Sequence, residues 1–222
     1  RGALRALSDF PLPHRSAPAQ PRIKVTVPPT FARYLLVPRL ADFTARYPDV
    51  AVEMFLSVPL YDLSLSESDV EVRFGAGNYP DMVTEKLFEE PTFAVASPTY
   101  LAKVGPLEKP SDLRKAVLLR SALEPWQPWF EAAGLDWPEP SSGLRLDDLG
   151  LLLEAVRHGY GVGLTRQHFG QQLIDSGEIV KLFDVRLASP PHAYYVVYEQ
   201  TGPKRPEVVA FIDWMRMTFR SL

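Results

Sequence analysis

The sequence predicts an α/β protein built on a mainly parallel β-sheet. Short apolar segments rich in β-branched residues alternate with segments whose apolar residues recur every three or four positions. This alternation is typical of βαβ units. The first such unit is the clearest, because the apolar segment 23–27 is followed by two prolines and then by a long amphipathic segment.

The composition narrows the class of protein further. The 222 residues are 46% hydrophobic and 23% charged, enough for one large domain or for two lobes with separate cores. The absence of cysteine excludes a disulfide framework and a thiolate metal site, and it favours a cytoplasmic location. A net charge of −3 argues against a nucleic-acid surface on these residues. No apolar run approaches the roughly eighteen residues of a membrane span, and we expect no signal peptide.

The first predicted helix follows the first strand directly. Residues 1–9 are consistent with a short helix, and the proline-rich stretch after them with a linker. After the strand, Thr30 is a suitable N-cap for the amphipathic helix 31–47. Pro38 should kink this helix or divide it, since proline lacks an N–H and crowds the preceding turn, and Pro48 should end it.

Strands, helices and turns continue to alternate along the rest of the chain. The helix at 149–159 should be capped by Asp147 or Asp148 and end at Gly159, and a terminal helix after residue 205 should return to the first lobe. The remaining predictions are strands at 50–56, 69–74, 91–98, 117–121, 141–146, 161–165 and 193–199, a loop or short helix at 59–68, a turn at 75–81 and a helix at 126–134.

Three segments together resemble the effector-binding domain of LysR-type transcriptional regulators. They are the strand, Thr30 and the helix ending in FTARYPDV; the D-x-x-x-R strand from Asp69 to Arg73; and LLLEAVRHGYGVGLT. The resemblance extends over 22–222. The stretches VLLRS, PWQPWFEAAG and LEAVRHGYGVGL are most similar to the subgroup that contains the glycine-cleavage activator and the β-lactamase regulator.

The resemblance implies two Rossmann-like lobes of the periplasmic-binding-protein type (type 2), with mixed sheets and two crossover strands. Lobe one would comprise 22–95 plus 197–222 and lobe two 96–196, with 1–21 as linker-helix stub and linker. A small-molecule effector would bind in the crevice between the lobes. The family also implies a homodimer or tetramer whose DNA contacts are made by a winged helix-turn-helix absent from this chain.

Ligands of open α/β sheets bind beyond the carboxyl ends of strands and at helix N-termini, so we expect the effector there. Arg120 is a candidate clamp for a carboxylate, although an arginine at a strand end is as often a surface ion pair, and Thr30 could be a helix cap alone. Together with Asp148, Arg120 would suit a ligand with an amine and a carboxylate. The predicted ligand-binding residues are Thr30, Phe31, Ser57, Asp62, Arg73, Ser97, Thr99, Arg120, Ser121, Asp148 and Leu149.

Three residues depart from the family pattern. Glu71 stands where a small apolar residue is usual, and we expect it to pair with Arg73 or to shape a polar pocket. Asp148 and Leu149 each stand where the β-lactamase regulators have a small hydroxyl residue. The carboxylate of Asp148 would repel an anionic ligand, which argues against a ligand shared with those regulators.

Two other functions remain open on the same architecture. A solute-binding protein of a transporter shares the fold, and so do enzymes such as dehydratases or deaminases. The four histidines lack metal-ligand spacing, and no G-x-S-x-G or P-loop motif is present. The glycines at 159, 161 and 163 do not open a helix, so they favour a tight helix-to-strand turn over a phosphate cradle. We therefore predict a binding domain with no catalytic residues, metal or cofactor.

Overall fold

The protein contains two β-sheets with helices packed around them. A computed structural model describes residues 20–57, 68–187, 192–220 and 222. The predictions for 1–19 and for 59–67, including the candidate Asp62, lie outside the described residues. The first sheet has the order β2-β1-β3-β8-β4 and the second has the order β6-β5-β7. The strands are β1 Arg22–Val27, β2 Ala51–Leu56, β3 Val70–Gly75, β4 Met82–Phe88, β5 Thr92–Ala96, β6 Gly163–Arg166, β7 Val180–Lys181 and β8 Ala193–Glu199.

The sheets are mixed, so the expectation of a mainly parallel arrangement is wrong while that of mixed sheets is confirmed. Strand β1 runs parallel to β2 and β3, as in a βαβ unit. Strand β8 runs antiparallel to both β3 and β4. All pairings of the central strand β5 are antiparallel as well. The difference arises because β8 returns from the second sheet and inserts between β3 and β4.

Most predicted helices are present, and several elements were not predicted. Strand β4, helices α3 and α6 and the 3-10 helix were missed, and the predicted strands at 117–121 and 141–146 form only isolated bridges. The helices are α1 Pro29–Phe31, the π-helical segment Ala32–Leu36, α2 Val37–Arg46, α3 Pro98–Val104, the 3-10 helix Pro110–Lys115, α4 Trp126–Ala132, α5 Leu149–Arg157, α6 Gln167–Asp175 and α7 Pro206–Phe219.

The first helix starts earlier than predicted. Its N-cap is Pro28, whose carbonyl accepts a 2.9 Å hydrogen bond from the Ala32 N–H, so Thr30 lies inside the first turn and is not the cap. Proline suits the first helical position, here Pro29, because its fixed φ is helical and no N–H is needed there. Pro38 divides the helix as expected. The Val37 N–H bonds to the Ala32 carbonyl five residues back. This π-helical turn directly precedes Pro38, which has no N–H to donate to the helix.

Two apolar clusters form the interior. The smaller cluster belongs to the second sheet and contains Trp126, Trp129 and Phe130. The larger one crosses from sheet to sheet and joins residues such as Phe31 and Tyr194 to Phe93 and Phe169. Helix α7 returns to the first sheet as predicted, since it packs against β1 and β4. Among the described residues, no helix is both long and apolar enough to cross a membrane.

The chain crosses between the sheets twice. It passes from the first sheet to the second between Phe88 and Thr92, and it returns between Lys181 and Ala193. Strands β5 and β8 each lie whole in one sheet. A division by sheet membership therefore falls before Thr92 and before Ala193, a few residues earlier than the boundaries predicted at 96 and 197.

Candidate functional site

A hydrogen-bonded bridge joins the two halves of the protein. Thr30 follows the carboxyl end of β1, and Asp148 is the N-cap of α5 beside the second sheet. The Thr30 hydroxyl donates to Asp148 Oδ2 at 3.0 Å and accepts from the Gly150 N–H at 3.1 Å. The other oxygen, Asp148 Oδ1, accepts from the Leu151 N–H at 2.9 Å. Thr30 is thus brought directly to a helix N-terminus of the opposite half, where a polar ligand group would compete for the same partners.

The apolar neighbours of this bridge are core residues. Phe31 is fully buried, with its ring centroid 5.0 Å from that of Tyr194 and 5.1 Å from that of Phe219. Leu149 is 4% exposed and belongs to the core cluster that crosses between the sheets. Both residues position the bridge, and neither presents a polar group to the crevice.

A buried ion pair lies where the two sheets meet. Arg166 ends β6, and its Nη2 is 2.5 Å from Oε1 of Glu124; their side chains are only 2% and 4% exposed. The Thr92 hydroxyl donates to Glu124 Oε2 at 3.3 Å. On the other side, the Arg166 guanidinium carbon is 3.9 Å from the ring centroid of Phe74 and 5.2 Å from that of Tyr194, both in the first sheet. Arg166 therefore contacts both sheets.

Burial dominates the ionisation of this pair. Desolvation raises the pKa of the Glu124 carboxyl, and the nearby Arg166 only partly offsets that effect. Burial is also the largest influence on Arg166 and opposes its charge, but attraction to Glu124, Tyr194 and Glu90 together outweighs burial and holds the pKa of the guanidinium above its usual value. Burial raises the pKa of the adjacent Tyr194 to about 12. The junction thus holds a buried cation beside a carboxyl group whose charged form is opposed by burial.

A second buried carboxylate lies near this pair. Glu90 is 3% exposed. Its Oε2 accepts a hydrogen bond from the backbone N–H of His168 at 2.7 Å, and the ring nitrogen Nδ1 of His168 lies 2.6 Å from the same oxygen. It follows β4 and immediately precedes β5, on the segment where the chain first crosses between the sheets. Glu90 therefore ties the start of α6 to this crossing.

Arg120 and Ser121 are held by neighbours of their own half. Arg120 Nη1 donates to the Ser141 carbonyl at 3.2 Å, and its backbone pairs with the segment around Arg145. Ser121 is 4% exposed, and its hydroxyl accepts from the Leu123 N–H at 3.2 Å. The Arg120 side chain is turned towards the 141 loop, and its role as a carboxylate clamp in a site shared with Asp148 stays a prediction.

Ser97 and Thr99 lie away from the bridge. They follow β5 at the end where Ala96 pairs with Val180, whereas Thr92 and Arg166 pair at the opposite end of that strand. A Cβ built on Gly159, just after the end of α5, would lie 3.3 Å from Thr99 Oγ1 and 3.6 Å from Ser97 Oγ. The nine-residue helix α5, about 13 Å long, separates this region from Asp148. Ser97 instead caps α3 by accepting from the Tyr100 N–H.

The remaining candidate residues of the first half, Arg73 and Ser57, contact neighbours within that half. Arg73 Nε donates to Glu71 Oε2 at 2.6 Å, and its guanidinium stacks 4.7 Å from the Tyr79 ring, so the expected pairing of Glu71 is present. Ser57 follows β2, and its N–H bonds to the Val27 carbonyl at 3.0 Å. The structure thus brings Thr30 and Asp148 together but leaves Arg73, Arg120, Ser97 and Thr99 elsewhere.

The sequence analysis missed Arg166, Glu124 and Glu90. One signal was available, since Arg166 directly follows the apolar strand GVGLT, at the carboxyl end where ligands of α/β folds bind. Glu124 lies in an irregular segment, and nothing in its neighbours indicates burial. Among the described residues, no group of three or more His, Cys, Asp or Glu side chains is placed to hold a metal ion.

The two sheets, the two crossings and the polar bridge between the halves define a binding domain of the type 2 periplasmic-binding-protein fold. Solved structures of that class are similar to this chain. The effector domain of the transcriptional regulator AmpR of Pseudomonas aeruginosa superposes with a TM-score of 0.80 at 28% identity, covering 89% of this chain and 94% of that one. The AmpR effector-binding domain from Citrobacter freundii gives a TM-score of 0.81 at 26% identity, covering 91% and 100%.

The sequence comparisons give the family. The LysR substrate binding domain matches residues 16–220, so the chain belongs to that family. The glycine cleavage system transcriptional activator of Escherichia coli is 32% identical over 198 residues, which are 89% of this chain and 65% of the activator. The chain therefore spans just under two thirds of the length of this curated relative. The expected LysR-type effector-binding domain and its fold are confirmed.

Proposed function

We propose that this chain senses a small-molecule effector between its two halves and so controls transcription through a DNA-binding segment of a longer protein. The bridge from Thr30 to Asp148 and Gly150 is the observation that carries the proposal. It links the halves through polar groups at a strand end and a helix N-terminus. The similarity to transcriptional activators supports the role in transcription.

The bridge suggests how an effector acts. A ligand that accepts from the Gly150 N–H, or donates to Asp148, replaces one contact of Thr30 and changes the free energy of the closed arrangement relative to the open one. Only such a difference in affinity between two arrangements shifts their populations. The proposed lobes follow the sheets, with 22–88 plus 193–220 in one and 92–187 in the other. We include Ser57 and Ser121 as rim contacts, and we propose a homodimer that acts in the cytoplasm and does not turn its ligand over.

A ligand screen with matched variants tests the site. The chain is screened against a library of small metabolites by thermal shift, as wild type, Thr30→Val and Thr44→Val. Thr44 is exposed, and its hydroxyl bonds only to the Ala41 carbonyl of its own helix. We expect compounds that raise the Tm of the wild type and Thr44→Val but not of Thr30→Val. A library whose stabilising compounds act equally on all three proteins would refute the crevice site.

The coding sequence upstream of Arg1 tests the role in transcription. An in-frame winged helix-turn-helix is expected there, and the longer protein should then bind DNA with an affinity or footprint that the screened compounds alter. A secretion signal in that position would instead indicate a solute-binding protein of a transporter.

A further inference from the structure

Arg166 carries hydrogen-bond donors that its own fold does not use. Within the described residues, its Nε and Nη1 have no hydrogen-bond partner, although both atoms are buried. Its Nη2 contacts Glu124, and Tyr194 of the first sheet is a further hydrogen-bonding partner of the side chain. Buried donors are almost always paired, because a group removed from water loses its hydrogen bonds unless the protein or a ligand replaces them. The free edges of this guanidinium therefore call for an acceptor.

The position of Arg166 makes these donors accessible when the halves separate. Glu124 and Thr92, which hold the guanidinium on one side, belong to the second half of the molecule. Phe74 and Tyr194, which cover it on the other side, belong to the first sheet. Moving the first sheet away removes the aromatic cover, while Arg166 stays with β6. An open crevice thus presents a cation whose only paired nitrogen is Nη2.

A carboxylate is the ligand group that fits this arrangement. A guanidinium in a low-dielectric site forms strong charge-assisted hydrogen bonds to planar oxyanions, and an aromatic ring stacked on its face leaves its edges free. Glu124 already supplies one carboxyl group, and its burial favours the neutral form, which limits repulsion of a second one.

We propose that Arg166 binds a carboxylate of the effector along its Nε–Nη2 edge, where the ligand takes Nη2 from Glu124 and adds a bond to the unpaired Nε, so that the effector of this domain is a small organic acid. The inference rests on the proposed function, since it identifies the ligand class of the same crevice. Glu124 competes with the ligand for Nη2 and keeps the unliganded guanidinium partly paired. Asp148, at the rim, is an acceptor for a donor group elsewhere on the same molecule.

The test uses acetate as a small carboxylate and methylammonium as a small cation. Both are titrated calorimetrically into the 222-residue chain at constant ionic strength, as wild type, Glu124→Gln and the double variant Glu124→Gln with Arg166→Gln. We expect Glu124→Gln to bind acetate at least tenfold more tightly than the wild type, because the competing carboxyl is gone. The double variant should lose at least that factor, and methylammonium should bind none of the three.

The control variant is Glu178→Gln, which removes the carboxylate of an exposed pair with Arg157 and should leave acetate binding unchanged. Equal acetate affinities within twofold in wild type and Glu124→Gln would overturn the inference, as would an absence of acetate binding. If the double variant does not fold, the comparison of Glu124→Gln with the wild type decides alone. Failure of the proposed function would give a different result, namely a thermal-shift screen in which no compound raises the Tm of the wild type but not that of Thr30→Val (a Thr30-dependent compound). Failure of this inference alone appears as Thr30-dependent compounds that bind wild type and Glu124→Gln equally.

Discussion

The hydroxyl of Thr30 lies 3.0 Å from Oδ2 of Asp148, although the two residues are 118 positions apart in the sequence. The same hydroxyl accepts the Gly150 N–H, so one side chain of the first half satisfies two groups at the start of α5. One threonine of the first half therefore makes two hydrogen bonds to the start of α5 in the second half.

Replacing Thr30 by valine should destabilise the chain even without ligand. Valine matches threonine in shape but leaves the buried Gly150 N–H without its acceptor, a loss of about 1–3 kcal/mol in the free energy of unfolding. Urea denaturation of Thr30→Val and of Thr44→Val measures the effect. The second variant should stay within about 0.5 kcal/mol of the wild type because its position is exposed. Equal stability of the two variants would show that the bridge does not contribute.

The stability of the wild type relative to Glu124→Gln should fall as the pH rises. Burial raises the pKa of Glu124 in the folded chain above its value in the unfolded chain, about 4.3. A group whose pKa is raised by folding contributes fully to the free energy of unfolding at a pH below its pKa in the unfolded chain. This contribution is lost as the pH rises through its pKa in the folded chain. Denaturation at several pH values between 4 and 8 measures the difference in unfolding free energy. A difference that is constant, or that grows in favour of the wild type, would contradict the raised pKa.

Glu85 should show the opposite pH dependence. Hydrogen bonds from Arg216, at 2.6 and 2.5 Å, are the main reason that the pKa of Glu85 is lowered, although partial burial opposes them. The contribution of Glu85 to the free energy of unfolding is present at a pH above its pKa in the unfolded chain. It is lost as the pH falls through its lowered pKa in the folded chain. Glu85→Gln should therefore lose about 1 kcal/mol at pH 7 and little in strong acid. Glu89→Gln, in the exposed pair with Lys86, is the control and should change stability by less than half as much.

Gly161 should not tolerate a side chain. A Cβ at this position would lie 2.4 Å from the carbonyl oxygen of Val117, a backbone atom that cannot rotate away. Gly161→Ala should cost about 2–3 kcal/mol through displacement of the 117–119 segment, which thermal or urea unfolding measures. Gly105→Ala is the comparison, since Gly105 has a φ of 83° but open space around it. Its cost should be limited to about 1–2 kcal/mol of backbone strain. A smaller loss for Gly161→Ala than for Gly105→Ala would contradict the close contact.

The sequence predicted best where local pattern and local structure coincide. The helix at Leu149 was predicted together with its cap, because Asp148 combines a side-chain acceptor with the start of an apolar run. The turn glycines were also predicted, and Gly159 indeed adopts a φ of 74°. Strand β4 was missed because its alternation is weak and its central residues, Thr84 to Lys86, are polar on both faces.

The candidate site was only partly predictable, since it depends on contacts distant in sequence. Thr30 and Asp148 were identified separately from helix starts, but no local pattern shows that they touch. Arg120 was chosen as the anion-binding residue because it ends an apparent strand, and its side chain instead reaches the Ser141 carbonyl. Arg166 also ends a strand, but its burial results from Phe74 and Tyr194, which are far from it in the sequence and belong to the first sheet.

The larger apolar cluster is shared by both sheets, and this governs how the chain comes apart. Because Phe31, Tyr194, Phe93 and Phe169 belong to one continuous interior, neither half can lose its packing without exposing the other's. Global unfolding should therefore be a single cooperative transition, with amide protons of β1 and β3 exchanging only through it. Among the described residues, Trp126 and Trp129 of α4 belong to the separate, smaller cluster, so the amides of α4 can exchange through a smaller, local opening.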